Sequence, residues 1–404
     1  MENGFQMKKI LTKRNLLFLT GPLLALLIFF ATFELVAYGT EFLRRFQKDP
    51  ESVKLVEDPR EKTLRSWVSE WRNLNESLID PNHKVDEPLR NEPGHYTDKG
   101  VNTNASIWIG NRRLAPNLDD EYELRGMISG RLKWRVRYQT TPWGHRMTHH
   151  EVKPKSVANI IFQGCSFTFG EGLPDESTFP ARVGSYLPNA QVFNFGVQGS
   201  SPAFDLLQTK EDGKFYLEGV DQKPTVVVST FLDDHVRRII GASTRLIQQP
   251  NIIYSDPHFY LEGDEVKYEK GFAQNIFSKY QLYKLFGHSK FAEVFKLEVP
   301  FYGEGQMKLA ARIFSETKKE VLKNNPQVKA YFVAVYPGEN FYASRLIPFL
   351  KQEGLDVLDY SGVPLHSILE EQRTLDTDRH PSALSLDLYA FLLSKELKSL
   401  DILK

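Results

Sequence analysis

The sequence predicts an α/β fold, a three-layer α/β/α sandwich with a mostly parallel sheet, carried behind an N-terminal transmembrane helix and a small β-containing region. Three observations predict it. Short apolar runs at Val157–Phe162, Gln191–Phe195, Thr225–Phe231, Lys329–Tyr336 and Leu355–Leu358 recur between stretches of helical periodicity. Those runs are continuous rather than alternating, as in strands covered by helices on both faces. The connections between them are long enough to hold crossover helices, and such sheets place their sites beyond the C-terminal ends of the strands.

Taken from the start, Leu16 to Phe33 is very apolar and uncharged, and the run reaches about Tyr38 if the single carboxylate of Glu34 is admitted. A helix needs about 20 such residues to cross a bilayer. A cleaved signal peptide would show a shorter apolar core and a small-x-small cleavage site, and no convincing one follows Phe33. An uncleaved anchor over 15–39 is therefore expected. Lys8, Lys9, Lys13 and Arg14 precede it, while Arg44, Arg45 and Lys48 follow with Glu41 among them. This mild bias puts the tail 1–14 in the cytoplasm and the bulk of the chain across the membrane.

The segment 40–155 reads as a stalk. From Phe46 to Ser106 it is polar and rich in Pro, Asn, Asp and Glu, except where Leu64, Trp67, Val68, Trp71, Leu74 and Leu78 recur at helical spacing. The flanks of that stripe are not notably basic, so docking on the body of the protein is favoured over lying on a membrane. Between Tyr122 and Tyr138 the pattern alternates, with Trp134, Val136 and Tyr138 on one side, Arg135 and Arg137 on the other, and Gly126 and Gly130 nearby. A small antiparallel β element is expected there. The remaining 156–404 is the sandwich, interrupted by an insertion over about 250–305. Within it His258 to Glu269 reads as a hairpin turning at Gly263-Asp264, and Ser278 to Phe295 as helix.

Composition narrows the function. Lys+Arg and Asp+Glu both number 51 in the 404 residues, and no long run of one sign occurs, so nucleic acid is not an expected partner. Cys165 is the one cysteine, which excludes an intrachain disulfide framework and a multi-cysteine metal site. His145 and His149-His150-Glu151 show no further ligand pattern and read as solvated loop. Gly170-Glu171-Gly172 lacks the Gly-Lys-Ser/Thr ending of a phosphate loop. Neither a metal nor any other cofactor is expected.

The first strand of the sandwich ends in Gly164-Cys165-Ser166-Phe167-Thr168-Phe169-Gly170, where a buried run stops at glycine and small polar residues. Such a turn can present a hydroxyl at the sheet's edge. A serine hydroxyl is a weak nucleophile alone and needs a base in reach and donors for the oxyanion formed on attack. The base candidate is His380, in Asp376-Thr377-Asp378-Arg379-His380-Pro381-Ser382, just ahead of a helix that Ser382 can cap. A carboxylate two residues before a histidine can hold its second ring nitrogen, which makes Asp378 the orienting acid and Asp376 the reserve.

These blocks, with Asn194-Phe195-Gly196-Val197-Gln198-Gly199 between them, resemble the SGNH, or GDSL-like, hydrolases, over about 60% of the chain from Val157 onward. The resemblance implies an SGNH/flavodoxin-like sandwich with a catalytic Ser166, His380 and Asp378. It also implies an oxyanion hole from Ser166, Gly199 and the residue at 233. Two positions depart from the family pattern. Cys165 stands where aspartate is usual, and its place one residue off the serine aims its thiol elsewhere. Asp233, in Leu232-Asp233-Asp234-His235, stands where the family has a donating asparagine, and an ionised carboxylate cannot donate. Either Asp233 is protonated or another donor serves. The run Asp233 to Arg238, and Tyr138 to Arg146, are similar to stretches in anchored bacterial members of the family.

A lone Gly-x-Ser turn is common, and a lone Asp-x-His is more often an ordinary loop histidine. Weight comes from their order, from their placement at strand ends and from a full α/β domain between them. The implied function is an extracytoplasmic serine esterase or O-acyltransferase. Its substrate would be an acetyl-type ester on a glycan, lipid or cell-wall polymer, and its setting a bacterial inner membrane with the domain in the periplasm. A multi-span membrane acyltransferase is the partner the family suggests. The opposing reading is a non-catalytic module of the same fold that binds or scaffolds within a membrane complex, and Asp233 is what speaks for it.

Overall fold

The computed structural model describes residues 59–76, 107–109, 112–114, 122–128, 131–138, 145–148, 155–213, 219–248, 256–271, 277–295, 297–300, 302–336, 342–363 and 380–403, with 79, 141, 217, 368, 373 and 374 singly. The anchor expected over 15–39 lies outside these. Among the described residues no helix is long and apolar enough to cross a membrane.

Helix α1 spans Pro59–Leu74. Leu64, Val68 and Trp71, spaced to share one face, are buried, and Trp71 has no exposed surface. Leu74, expected on the same stripe, is instead 67% exposed, so the buried face ends one turn earlier. The face docks on the body of the protein, where Trp71 Nε1 donates to Asp387 Oδ2 at 2.8 Å. Two antiparallel pairs follow. They are β1 (Ile107–Ile109) with β2 (Arg112–Leu114), and β3 (Tyr122–Ile128) with β4 (Arg131–Tyr138), the second where alternation predicts it.

The sandwich is built from β5 (Ala158–Gly164), α2 (Ser166–Phe169), α3 (Phe179–Tyr186), β6 (Ala190–Gly196), α4 (Pro202–Asp212), β7 (Thr225–Phe231) and α5 (Asp234–Ile240). Helix α6 (Ser243–Gln248), a hairpin of β8 (Pro257–Glu262) and β9 (Glu265–Gly271), α7 (Phe277–Gly287) and α8 (Lys290–Val294) come next. Then follow α9 (Glu304–Asn324), β10 (Val328–Val335), α10 (Ala343–Gln352), β11 (Asp356–Asp359) and α11 (Ala383–Leu397). All five apolar runs of the sequence are strands of one sheet, ordered β11-β10-β7-β5-β6, with every pairing parallel.

Side-chain period explains the two layers. Ala158, Ile160 and Phe162 of β5, Val226 and Val228 of β7, and Ala334 of β10 share one core with residues of α1, α3 and α11. Ile161, Val227 and Val333, one residue out of phase, are just as buried and belong to the opposite face. There α9 packs against α4, α5 and α10. The chain leaves β5 for β6 on one side and returns to β7 on the other, so the order reverses at β5. In open α/β sheets, the crevice beyond such a reversal is where ligands bind.

Residues Ala242–Gln249 and Phe277–Phe301 form a small compact unit of their own, whereas the hairpin of β8 and β9 belongs to the large one. The hairpin turns at Gly263, whose φ is 62°. In the small unit Ser243 N donates to Val299 O at 2.8 Å, and its hydroxyl accepts from Val299 N at 3.2 Å. A Cβ on Gly287 would stand 2.4 Å from Ile247 Cδ1, which is why glycine ends α7.

Candidate active site

Ser166 begins α2 directly beyond β5, the strand at which the sheet order reverses. The break from strand to helix is made by Gly164, whose φ of 151° suits glycine and whose missing Cβ would lie 2.0 Å from Thr230 Oγ1. The space is taken by a hydroxyl pair, Thr168 Oγ1 and Thr230 Oγ1, 2.6 Å apart, and Thr230 donates onward to Gln163 O at 3.1 Å. This locks the turn to β5 and β7.

His380 reaches the same point from the far end of the sequence. Its Nε2 lies 2.9 Å from Ser166 Oγ. Pro381 bridges to Thr374, Ser382 N donates to Arg373 O at 3.0 Å, and Ser382 Oγ accepts from Ser385 N at 3.1 Å as the cap of α11. The histidine is thereby held outside the helix, as Pro381 and Ser382 predict. The ring of Phe167 lies 5.5 Å from the imidazole. Asp378 and Asp376 lie outside the described residues.

Gly199 sits in the turn Val197–Ser200 beyond β6, with φ of 71°. Val197 N donates to Gly164 O at 2.8 Å, which ties this turn to the base of the turn that carries Ser166, and Ser200 N donates to Val197 O at 3.1 Å. Asp233 stands beyond β7 at the corresponding sheet edge, but as an acceptor. Its Oδ2 takes the Tyr342 N–H and its Oδ1 the Ala343 N–H, both at 3.0 Å, at the start of α10. This corrects the expectation of an oxyanion donor at 233: the carboxylate oxygens are turned to amides that an ionised acid satisfies well. Cys165 is fully buried, and burial holds its thiol above the ordinary range, opposed in part by the Arg238 guanidinium.

Three residues to which the motifs assign no role hold these turns. Asn194 Nδ2 donates to Thr168 O at 3.0 Å, while its Oδ1 accepts from Gly196 N at 2.9 Å. Arg146, 1% exposed, pairs with Asp175 at 2.8 Å and donates to the carbonyls of Phe169, Gly170 and Leu173 at 2.5–2.6 Å. Arg238 pairs with Asp234 at 2.6 Å and donates to Ser200 O at 2.5 Å. A signal for the two arginines was type: an arginine among apolar or small residues is expensive to bury unless a site is built for it.

Glu171 brings a carboxylate to the same place, with Oε2 3.6 Å from His380 Nε2. His145 is not the solvated residue the sequence suggests: it is 8% exposed and stacks on Phe195 at 3.5 Å between ring centres. His149, His150 and Glu151 lie outside the described residues, and among those described no group of acidic, His and Cys side chains is placed to hold a metal ion.

No protein-family model matches the chain, and neither does any curated protein. Solved structures do. A member of the lipolytic protein G-D-S-L family from Veillonella parvula DSM 2008 is similar at 10% identity, over 60% of this chain and 100% of that one, with a TM-score of 0.35. A protein described as lipolytic, of the G-D-S-L family, from Desulfitobacterium hafniense DCB-2 is similar at 14% identity, over 59% and 98%, with a TM-score of 0.30. Likenesses of this size say nothing of the reaction, which has to be read from the site's own atoms.

Proposed function

We propose that this chain is a serine enzyme acting on ester bonds, with Ser166 as nucleophile, His380 as general base and Asp378 as the acid that orients it. The observation that carries the reading is the 2.9 Å separation of His380 Nε2 from Ser166 Oγ at the reversal point of a parallel sheet. Residues 214 apart in sequence meet there in the geometry that nucleophilic catalysis requires.

Nε2 takes the hydroxyl proton as Oγ attacks the ester carbonyl carbon. The negative charge on the former carbonyl oxygen is met by the backbone N–H groups of Ser166 and Gly199. The tetrahedral species collapses as the carbon–oxygen bond to the alcohol breaks, and Nε2–H returns the proton to the departing oxygen. Water or an acceptor hydroxyl then gives its proton to Nε2 and attacks the acyl-enzyme, and Ser166 leaves with a proton restored. Losing one oxyanion donor typically costs on the order of 10²–10³ in rate, so two backbone donors leave a slower but working site.

The further reading is an esterase or O-acyltransferase outside the cytoplasm of a bacterium, held at the inner membrane by the apolar run at 15–39. It would act on acetyl-type esters of a glycan, lipid or cell-wall polymer, beside a multi-span acyltransferase. The apolar run and the basic residues before it support the placement.

The test is to treat the full chain in detergent with a fluorophosphonate probe and with p-nitrophenyl acetate, alongside Ser166→Ala and His380→Ala. Labelling and turnover present in the native chain and lost in both variants bear the reading out. A folded native chain that neither labels nor turns over sinks it, and the binding-module reading then stands.

A further inference from the structure

We propose that Arg238 is a positioning residue for the oxyanion donor at Gly199. The inference rests on the serine-enzyme reading above.

The turn Val197-Gln198-Gly199-Ser200 closes with Ser200 N on Val197 O at 3.1 Å and has a positive φ of 71° at its third residue, as a type II turn does. In that turn the direction of the Gly199 N–H depends on the orientation of the peptide between residues 198 and 199. A type I turn has the same ends with that peptide flipped, so the N–H would point the opposite way. The positive φ at Gly199 sets which turn forms, and where its N–H then lies relative to Ser166 depends on how the two ends of the turn are held.

The entry to the turn is pinned by Val197 N on Gly164 O, and the exit by Arg238 Nη1 on Ser200 O at 2.5 Å. The guanidinium is itself held, with Nε and Nη2 both 2.6 Å from Asp234 Oδ2 one helical turn back on α5. Its side chain is 9% exposed, and Ser200 is 1% exposed, so little water is at hand to replace the bond. Asp233, Asp234 and Arg238 thus form one device across two neighbouring residues and a turn of helix. Asp233 secures α10, and Asp234 aims Arg238 at the turn that carries Gly199.

The experiment compares Arg238→Met, Arg238→Ala and Arg238→Lys with the native full chain on p-nitrophenyl acetate, with thermal melts to measure the folded fraction. The expectation for Arg238→Met is a kcat lower by about 10- to 100-fold, less than the loss from deleting a donor outright, with KM within about twofold. Fluorophosphonate labelling of Ser166 slows by a similar factor. Arg238→Lys recovers part of the rate, and guanidinium ion added to Arg238→Ala recovers more. A variant that keeps native kcat, or one whose losses follow the folded fraction with no recovery by guanidinium, overturns the role of Arg238 while leaving the enzyme reading intact. A native chain without Ser166-dependent turnover overturns both.

Discussion

Glu171 Oε2 lies 3.6 Å from His380 Nε2, the same nitrogen that stands 2.9 Å from Ser166 Oγ. The imidazole nitrogen that would receive the serine proton therefore faces a second acceptor. A carboxylate there stabilises the cationic imidazolium formed at the moment of attack. Both side chains are about a fifth exposed, so solvent weakens the effect, and a pair of this kind is worth about 0–1 kcal/mol. Glu171→Gln should lower kcat for p-nitrophenyl acetate by roughly 2- to 5-fold and leave KM in place. An unchanged or raised kcat would remove Glu171 from the reaction.

Restoring the family's amide at 233 should not restore a donor. An asparagine there keeps one oxygen for the Tyr342 and Ala343 amides but sets an NH₂ group against the other. Asp233→Asn should cost about 1–3 kcal/mol of stability through the lost charge-assisted bond and the unsatisfied N–H, with no gain in kcat. A chemical-denaturation curve and a rate measurement on the same sample check both halves. A faster and equally stable enzyme would show that position 233 serves the oxyanion after all.

Alkaline pH should unfold the domain through its buried tyrosines. Burial raises Tyr331, Tyr336, Tyr360 and Tyr389 above the ordinary phenol range, with Glu396 adding to Tyr360 and Tyr389, and Tyr336 to Tyr389. The folded form holds these protons where the unfolded chain, near pH 10, gives them up. The contribution to stability is thus complete below about pH 10 and is lost as pH rises towards the folded values. Absorbance of tyrosinate near 295 nm should show these four titrating together with loss of far-ultraviolet dichroism. Their ionisation in a chain still folded would refute the linkage.

The sheet was legible because burial on both faces leaves a continuous apolar record, and all five strands fall within two residues of those runs. Ser166 and His380 were legible because glycine, proline and a capping serine mark local breaks beside them. The role of Asp233 was not, since its partners lie 109 and 110 residues away and nothing local distinguishes a capping carboxylate from a catalytic one. The turn-holding roles of Arg146 and Arg238 were hidden because, besides the carboxylates of Asp175 and Asp234, each donates to main-chain carbonyls, which leave no mark on residue type. His145 looked like loop because Phe195, the ring it stacks on, lies far along the chain.

The bond between Trp71 and Asp387 joins residues 316 apart. A ribosome adding about 5–20 residues per second needs roughly 15–60 s to cover that distance. Throughout it, the Leu64, Val68 and Trp71 face of α1 has been made but the helix that covers it has not. His380 emerges only seven residues before Asp387. Synthesis thus delivers His380 and the cover for α1 almost together, so a chain terminated before them leaves the apolar face of α1 uncovered and lacks the imidazole that meets Ser166.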